Sequence, residues 1–259
     1  MNDTKKPLHK LVVFDSGIGG LSVLQELMKL PIKEFVYCAD TAHVPYGDKT
    51  PDEIISLTMK TLLSVIDPSI DGLVLACHTA SSLVYETITQ AFPHLPVWNV
   101  MEPAARSAAH TSLNKRIGII GTSATIAHSR HKQTILNIEP DAYIIQQACP
   151  DLVPLIEAPQ LDIDATKAAL HRYITPLLAH SIDTLIIGCT HYELIRNLIN
   201  PLVGKDIALI STPPLMTALL YPLVENQDIV KPVISIHVTG PQISFLQKLN
   251  SVAPAILQK

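Results

Sequence analysis

The chain has 259 residues, of which 47% are hydrophobic, 16% charged and 5% aromatic, with a formal net charge of −4. That balance supplies a mainly aliphatic core for one large domain or two ordinary ones and excludes disorder by composition. No Lys/Arg block follows the opening Lys5, Lys6 and Lys10, which excludes nucleic acid as the main ligand on electrostatic grounds.

No apolar run reaches the roughly 18 to 20 residues that span a bilayer. The opening stretch MNDTKKPLHKLVVF passes from polar residues straight into a strand-like run and lacks the apolar core of a secretory signal. Four cysteines, Cys38, Cys77, Cys149 and Cys189, do not make a disulfide scaffold in a chain of this size. A cytoplasmic protein with reduced thiols is expected.

Short β-branched runs alternate with longer amphipathic stretches, the pattern of an α/β protein with mostly parallel strands. In chain order the expected strands are 11–14, 34–38, 72–76, 97–100, 117–120, 142–146, 184–187, 208–210 and 234–238. Helices are expected between them, among them 21–29, 51–65 and 165–178. Loops 41–50 and 149–159 follow strands, where open α/β sheets bind ligands.

Two pairs of segments repeat in the same order. LVLACHTASSLVYETI (73–88) and LIIGCTHYELIRNLI (185–199) each read as strand, small residue, cysteine, polar pair and helix. Likewise FDSGIGG and IGTSATI each follow a strand, with Ser16 and Thr122 as the first hydroxyls of their turns. Two matching pairs predict two similar α/β units.

Cys77 and Cys189 each fall between a strand and a helix, where backbone N–H groups and the helix dipole lower a thiol's pKa. Two units facing about a pseudo-twofold axis would bring both sulfurs to one cleft. One thiolate could then take a proton from one face of a carbon while the other thiol delivers a proton to the opposite face. This scheme needs no metal or cofactor. Cys38 and Cys149 lack a matching partner and read as small buried hydrophobes. Asp15 at the first strand's end, His191 two residues after Cys189, and Glu157 are the candidate helpers. The turn Asp15–Gly20 offers N–H groups to an anion, but its spacing is neither a dinucleotide fingerprint nor a Walker loop. Thr79 and Thr190 could hold a carboxylate, and Pro45-Tyr46-Gly47 forms a tight turn. Zinc is disfavoured, since Cys77-His78 and Cys189-x-His191 are not a local set of four ligands.

The segments VFDSGIGGLSVLQEL, HVPYGDKT, ACHTASS, IGIIGTSATI, CPDLVPLIE and GCTHYELI resemble, in order, those of the glutamate racemase family of the aspartate/glutamate racemase superfamily. The resemblance implies two pseudo-symmetric α/β domains, each a mostly parallel sheet flanked by helices, with the active site in the cleft between them. The first domain would comprise 1–98 and 210–259, closed by the C-terminal segment, and the second 99–209. The implied reaction is cofactor-independent interconversion of L- and D-glutamate, supplying D-glutamate for peptidoglycan, in a protein that is often a homodimer. Cys77 and Cys189 match the catalytic bases, and Asp15, Glu157 and His191 their helpers. Asp15, Ser16, Tyr46, Gly47, Thr79, Thr190 and His191 match substrate contacts, and Pro45, His78 and Thr122 complete the expected set. The chain departs from the family pattern at His78 (usually Asn), His43 (commonly Arg), Glu193 (usually Pro), Thr239-Gly240-Pro241 and Ser211-Thr212-Pro213. The alternatives are an aspartate or broad-specificity racemase, a one-cysteine decarboxylase or isomerase, and a weakly active regulatory paralogue.

Overall fold

The computed structural model describes residues 8–224, 228 and 231–256; the polar leader 1–7 lies outside the described residues. Among the described residues nine strands form two parallel sheets. The first contains β1 (Lys10–Asp15), β2 (Glu34–Ala39), β3 (Gly72–Leu75), β4 (Val97–Asn99) and β9 (Val233–Val238); the second contains β5 (Arg116–Gly121), β6 (Tyr143–Ala148), β7 (Thr184–Gly188) and β8 (Ala208–Ile210). The helices are α1 (Leu21–Leu27), α2 (Pro51–Leu63), α3 (His78–Ala91), α4 (Met101–Thr111), α5 (Ser123–His128), α6 (Arg130–Ile138), α7 (Leu152–Glu157), α8 (Ile163–Leu178), α9 (Thr190–Glu193), α10 (Arg196–Val203), α11 (Thr212–Leu220) and α12 (Gln242–Val252).

The strand orders are β4-β3-β1-β2-β9 and β6-β5-β7-β8. Reversed, the second reads β8-β7-β5-β6, so the two sheets share one order, with β9 added to the edge of the first. Ser16 and Thr122 thus follow the central strands β1 and β5, and Cys77 and Cys189 follow the neighbouring strands β3 and β7. The repeat seen in the sequence is a repeat of topology.

Burial follows sheet position. β3 and β7 are buried throughout, as continuous apolar runs covered on both faces must be. Edge strand β9 alternates exposed and half-buried residues, the period-two signature of a strand covered on one face. Its parallel pairing with β2, from Glu34↔Val233 to Ala39↔Val238, returns the C-terminal segment to the first sheet.

Two expected features come out differently. The segment after β6 was expected to be loop, yet it contains α7, and Glu157 is that helix's last residue. The single helix expected after Cys189 is split into α9 and α10. Before α2, Thr50 and Glu53 form a reciprocal capping box, with Thr50 N–H donating to Glu53 Oε2 at 2.9 Å and Glu53 N–H donating to Thr50 Oγ1 at 3.4 Å. That box fixes the far end of the loop carrying Tyr46 and Gly47. Among the described residues no helix is long and apolar enough to cross a membrane.

Candidate active site

The C-terminal ends of the two sheets meet around one cavity. Its walls include Ser16, Tyr46, Gly47, Cys77, His78, Thr79, Thr122, Cys189, Thr190 and His191, all expected from the sequence, together with Val153, which was not. The cavity is about 10 Å³, space for no more than one water. An amino acid therefore enters only if the walls part.

Cys77 is the N-cap of α3 and Cys189 the N-cap of α9, so each thiol follows a strand and heads a helix. Cys77 Sγ donates to Ser16 Oγ at 3.6 Å. Contrary to expectation, the helix terminus does not lower this thiol: burial, then the charge of Asp15, pushes Cys77 up to about 12, against the opposing N–H of Ala80. In a closed cleft desolvation outweighs the dipole.

The second cysteine has a different neighbour. Burial alone would strip the proton from the His191 imidazolium, but hydrogen bonds to Cys189 and Glu157, with their charges, raise it to about 10. Glu157 accepts from His191 Nε2 at 2.7 Å, leaving Nδ1 for Cys189. Burial would raise Glu157, yet the bonds and charges of His191 and Lys248 hold it at about 2. The two thiols thus sit in unlike surroundings, Cys77 buried as thiol beside an acid and Cys189 beside a cation.

Asp15 is fully buried beneath the cavity rather than in its wall. It accepts from Gly17 N–H at 3.0 Å and from Thr190 Oγ1 at 3.1 Å, joining the first sheet to the second. Burial raises its pKa, opposed by the charge of His191 and the N–H groups of Gly17 and Gly20. Pro45 lies outside the wall, whereas Tyr46 donates to Asp40 Oδ2 at 2.8 Å. Burial, then Asp40, raises the Tyr46 phenol, keeping it a donor. Thr79, Thr122 and Thr125 form a buried hydroxyl triangle of 2.8, 3.1 and 3.0 Å across the cleft.

The glycine turn packs where the sheets approach most closely. A Cβ on Gly19 would lie 2.6 Å from both the backbone N of His191 and Thr190 Oγ1, and one on Gly17 would lie 2.5 Å from Glu157 Oε1. The turn is a seam between the sheets, which requires the absence of side chains. Gly19→Ala is expected to destabilise by about 1–3 kcal/mol and to lower turnover, because backbone blocks its relaxation. Urea unfolding and steady-state rates check both; an unchanged midpoint and rate would contradict the seam.

The departures from the family pattern fall into contact with one another. His78 Nδ1 pairs with His131 Nε2 at 3.0 Å, and His78 Nε2 with Thr212 Oγ1 at 3.1 Å. Thr212 N–H and Ser211 Oγ both donate to Glu193, each at 2.9 Å. His43 Nδ1, at 2.8 Å, and Thr239 Oγ1, at 2.5 Å, both meet Asp40 Oδ1. His131, Asp40 and Lys248 were missed in the sequence, and Thr212 was noted there only as a departure from the family pattern. Only Asp40 carried a signal there, a carboxylate directly after β2, one position beyond the residue that pairs with Asp15 at the end of β1. Among the described residues no group of three or more His, Cys, Asp or Glu is placed to hold a metal ion.

The site and the duplicated sheets define a class: a two-unit α/β protein with a thiol on each side of a shared cleft. The sequence profile of the Asp/Glu/Hydantoin racemase family matches residues 25–219. The glutamate racemase of Geobacter metallireducens is 34% identical over 227 residues, covering 87% of this chain and 84% of that protein. A glutamate racemase isoform of Bacillus anthracis superposes with a TM-score of 0.89 at 28% identity, covering 95% of this chain and 94% of that one. The glutamate racemase of Francisella tularensis, solved in complex with D-glutamate, superposes with a TM-score of 0.85 at 27% identity over 97% of this chain and 94% of that one. The chain belongs to the aspartate/glutamate racemase family and is an amino-acid racemase.

Proposed function

We propose that the protein interconverts L- and D-glutamate by a two-thiol, two-base reaction that needs no cofactor. The observation that carries this reading is the placing of Cys77 and Cys189 in the wall of one cavity, each at the head of a helix and the second beside His191. The thiolate beside His191 removes the α-proton from one face while the Cys77 thiol delivers its proton to the other. The roles then reverse for the opposite enantiomer. Glu157 orients His191, and Asp15 sits behind Thr190 and biases Cys77 toward the thiol. Hydroxyls of Ser16, Thr79, Thr122 and Thr190, with backbone N–H groups at the starts of α3 and α9, suit the substrate's carboxylates.

The glutamate relatives and the D-glutamate bound to the Francisella tularensis protein support glutamate over aspartate. On this reading the enzyme supplies D-glutamate for peptidoglycan in the cytoplasm, as a homodimer. Its cleft lies between residues 1–98 with 210–259 and residues 99–209, a division supported by the shared strand order. Racemisation assays with L-Glu and L-Asp test the substrate. L-Glu is expected to be turned over at least about tenfold more efficiently, a gap of about 1.4 kcal/mol in transition-state binding. A preference for L-Asp would overturn glutamate, and background turnover of both would favour a regulatory paralogue.

A further inference from the structure

The C-terminal helix α12 touches the machinery through Lys248. Lys248 Nζ lies 2.6 Å from Glu157 Oε2 and also donates to the Glu157 main-chain carbonyl. Glu157 Oε1 meanwhile accepts from His191 and, at 3.3 Å, from Ile18 N–H. One carboxylate therefore joins the glycine turn, the helper of Cys189 and the C-terminal helix. We propose that Lys248 is a positioning residue for racemisation, acting through Glu157 on His191 and so on Cys189. The inference rests on the two-thiol reading above.

Several observations separate this contact from an ordinary surface ion pair, worth about 0–1 kcal/mol. The Glu157 and His191 side chains are only 16% and 3% exposed, so the field between them is weakly screened. Both carboxylate oxygens are committed, Oε2 to Lys248 and Oε1 to His191, which fixes the rotation of the group. The cation on the last carbonyl of α7 also holds the backbone of Glu157. One turn earlier, Phe245 stacks on Tyr37 with ring centroids 5.9 Å apart, and Tyr37 donates to Gly17 O at 2.7 Å. Helix α12 is thus anchored to the turn beside Cys77 as well as to the helper of Cys189. A surface cavity of about 190 Å³, lined in part by Ile18, Glu157, Phe245 and Lys248, leaves room for another side chain at position 248.

The electrostatic consequence has a definite sign. Lys248⁺ offsets part of the Glu157 charge, so its removal leaves His191 facing an uncompensated carboxylate. His191 then holds its proton more tightly and releases it less readily. Partners that orient a histidine from behind in metal sites change activity by about 10-fold to 100-fold, and Lys248 stands in the same geometric relation to His191 through Glu157.

The test compares K248M, K248Q and K248R in the full-length enzyme, with N250A on the exposed side of the same helix as control. kcat and KM are measured in both directions across pH, together with melting temperature. K248M and K248Q are expected to lose about tenfold in kcat with KM little changed. Their high-pH limb should move upward, and K248R should recover most of the rate with the wild-type profile. Wild-type kcat and pH profile in K248M would overturn the proposal. So would a rate loss with an unmoved profile that K248R shares, because that marks a structural brace alone. If K248M does not fold, K248Q and K248R decide by the same criteria. Rates are read relative to wild type on whichever acidic amino acid it turns over. Failure of the substrate assignment therefore shows in wild type, and failure of Lys248 in the variants.

Discussion

Alanine at either Cys77 or Cys189 is expected to lower racemisation in both directions by about 10²–10⁴-fold, the usual contribution of one positioned acid or base. Both directions fall because every turnover uses both thiols, one accepting and one donating. Neither substitution should unfold the protein, since each removes a single sulfur from the wall of a cavity. The neighbours differ, however. Losing Cys189 leaves His191 without one of the bonds that keep it protonated, whereas losing Cys77 frees Ser16 from a 3.6 Å contact and the N–H of Ala80, neither of which titrates. The pH profile of residual exchange should therefore shift more for Cys189→Ala than for Cys77→Ala. Chiral chromatography of the products checks the rates.

The second large effect is expected at His78. Both ring nitrogens are taken by His131 and Thr212, so His78→Ala leaves a void and two buried polar groups without their partner. That should destabilise by about 2–4 kcal/mol. His78→Asn should cost less, because the shorter amide still reaches one partner. With both ring nitrogens held by α6 and α11, His78 is expected to contribute little to substrate choice although it lines the cavity. The L-Glu to L-Asp ratio in His78→Asn should stay within about threefold of wild type, a difference under about 0.7 kcal/mol; a large swing toward L-Asp would show that it governs recognition after all.

The same pair predicts a pH dependence. Burial, then the neighbouring His131, pushes His78 well below 6.5, and burial pushes His131 down to about 4. Unfolded, both histidines bind protons below about 6.5, while the folded protein binds them only at lower pH. Stability is therefore lost as pH falls from about 6.5 toward about 4. His191 acts in the opposite sense. Raised to about 10 when folded, it contributes stability fully present below about 6.5 and lost as pH rises from there toward 10. Denaturant midpoints across that range should peak near neutrality, and the acid-side fall should shrink when His78 is replaced.

Much of this was legible in the sequence, for physical reasons. Parallel strands buried on both faces must be continuous apolar runs, so the strands could be placed within a residue or two. The cysteines could be singled out because a duplicated strand–cysteine–helix unit repeats in local sequence. The environment of each thiol was not legible. Whether a helix terminus lowers Cys77 depends on how tightly the sheets close, and here burial reverses the local rule. His131 and Lys248 escaped notice because each is contributed by a distant helix, and Thr212 stood out only as a departure, with no sign that it meets His78. Nothing in the local sequence of α6, α11 or α12 marks a partner reached only in the folded chain. The turn 15–20 reads in the sequence as an anion cradle; that Gly19 also admits the backbone of His191 shows only in the fold. The scattered departures from the family pattern looked independent, yet His78, Thr212, Ser211 and Glu193 touch in series.

The most direct measurement is deuterium exchange at the α-carbon in D₂O, with each enantiomer of glutamate and with Cys77→Ser and Cys189→Ser. The two-thiol account predicts that each variant loses racemisation and keeps exchange for one enantiomer only, the opposite one in the two variants. Racemisation at the wild-type rate in either variant, or exchange of the same enantiomer in both, would contradict it.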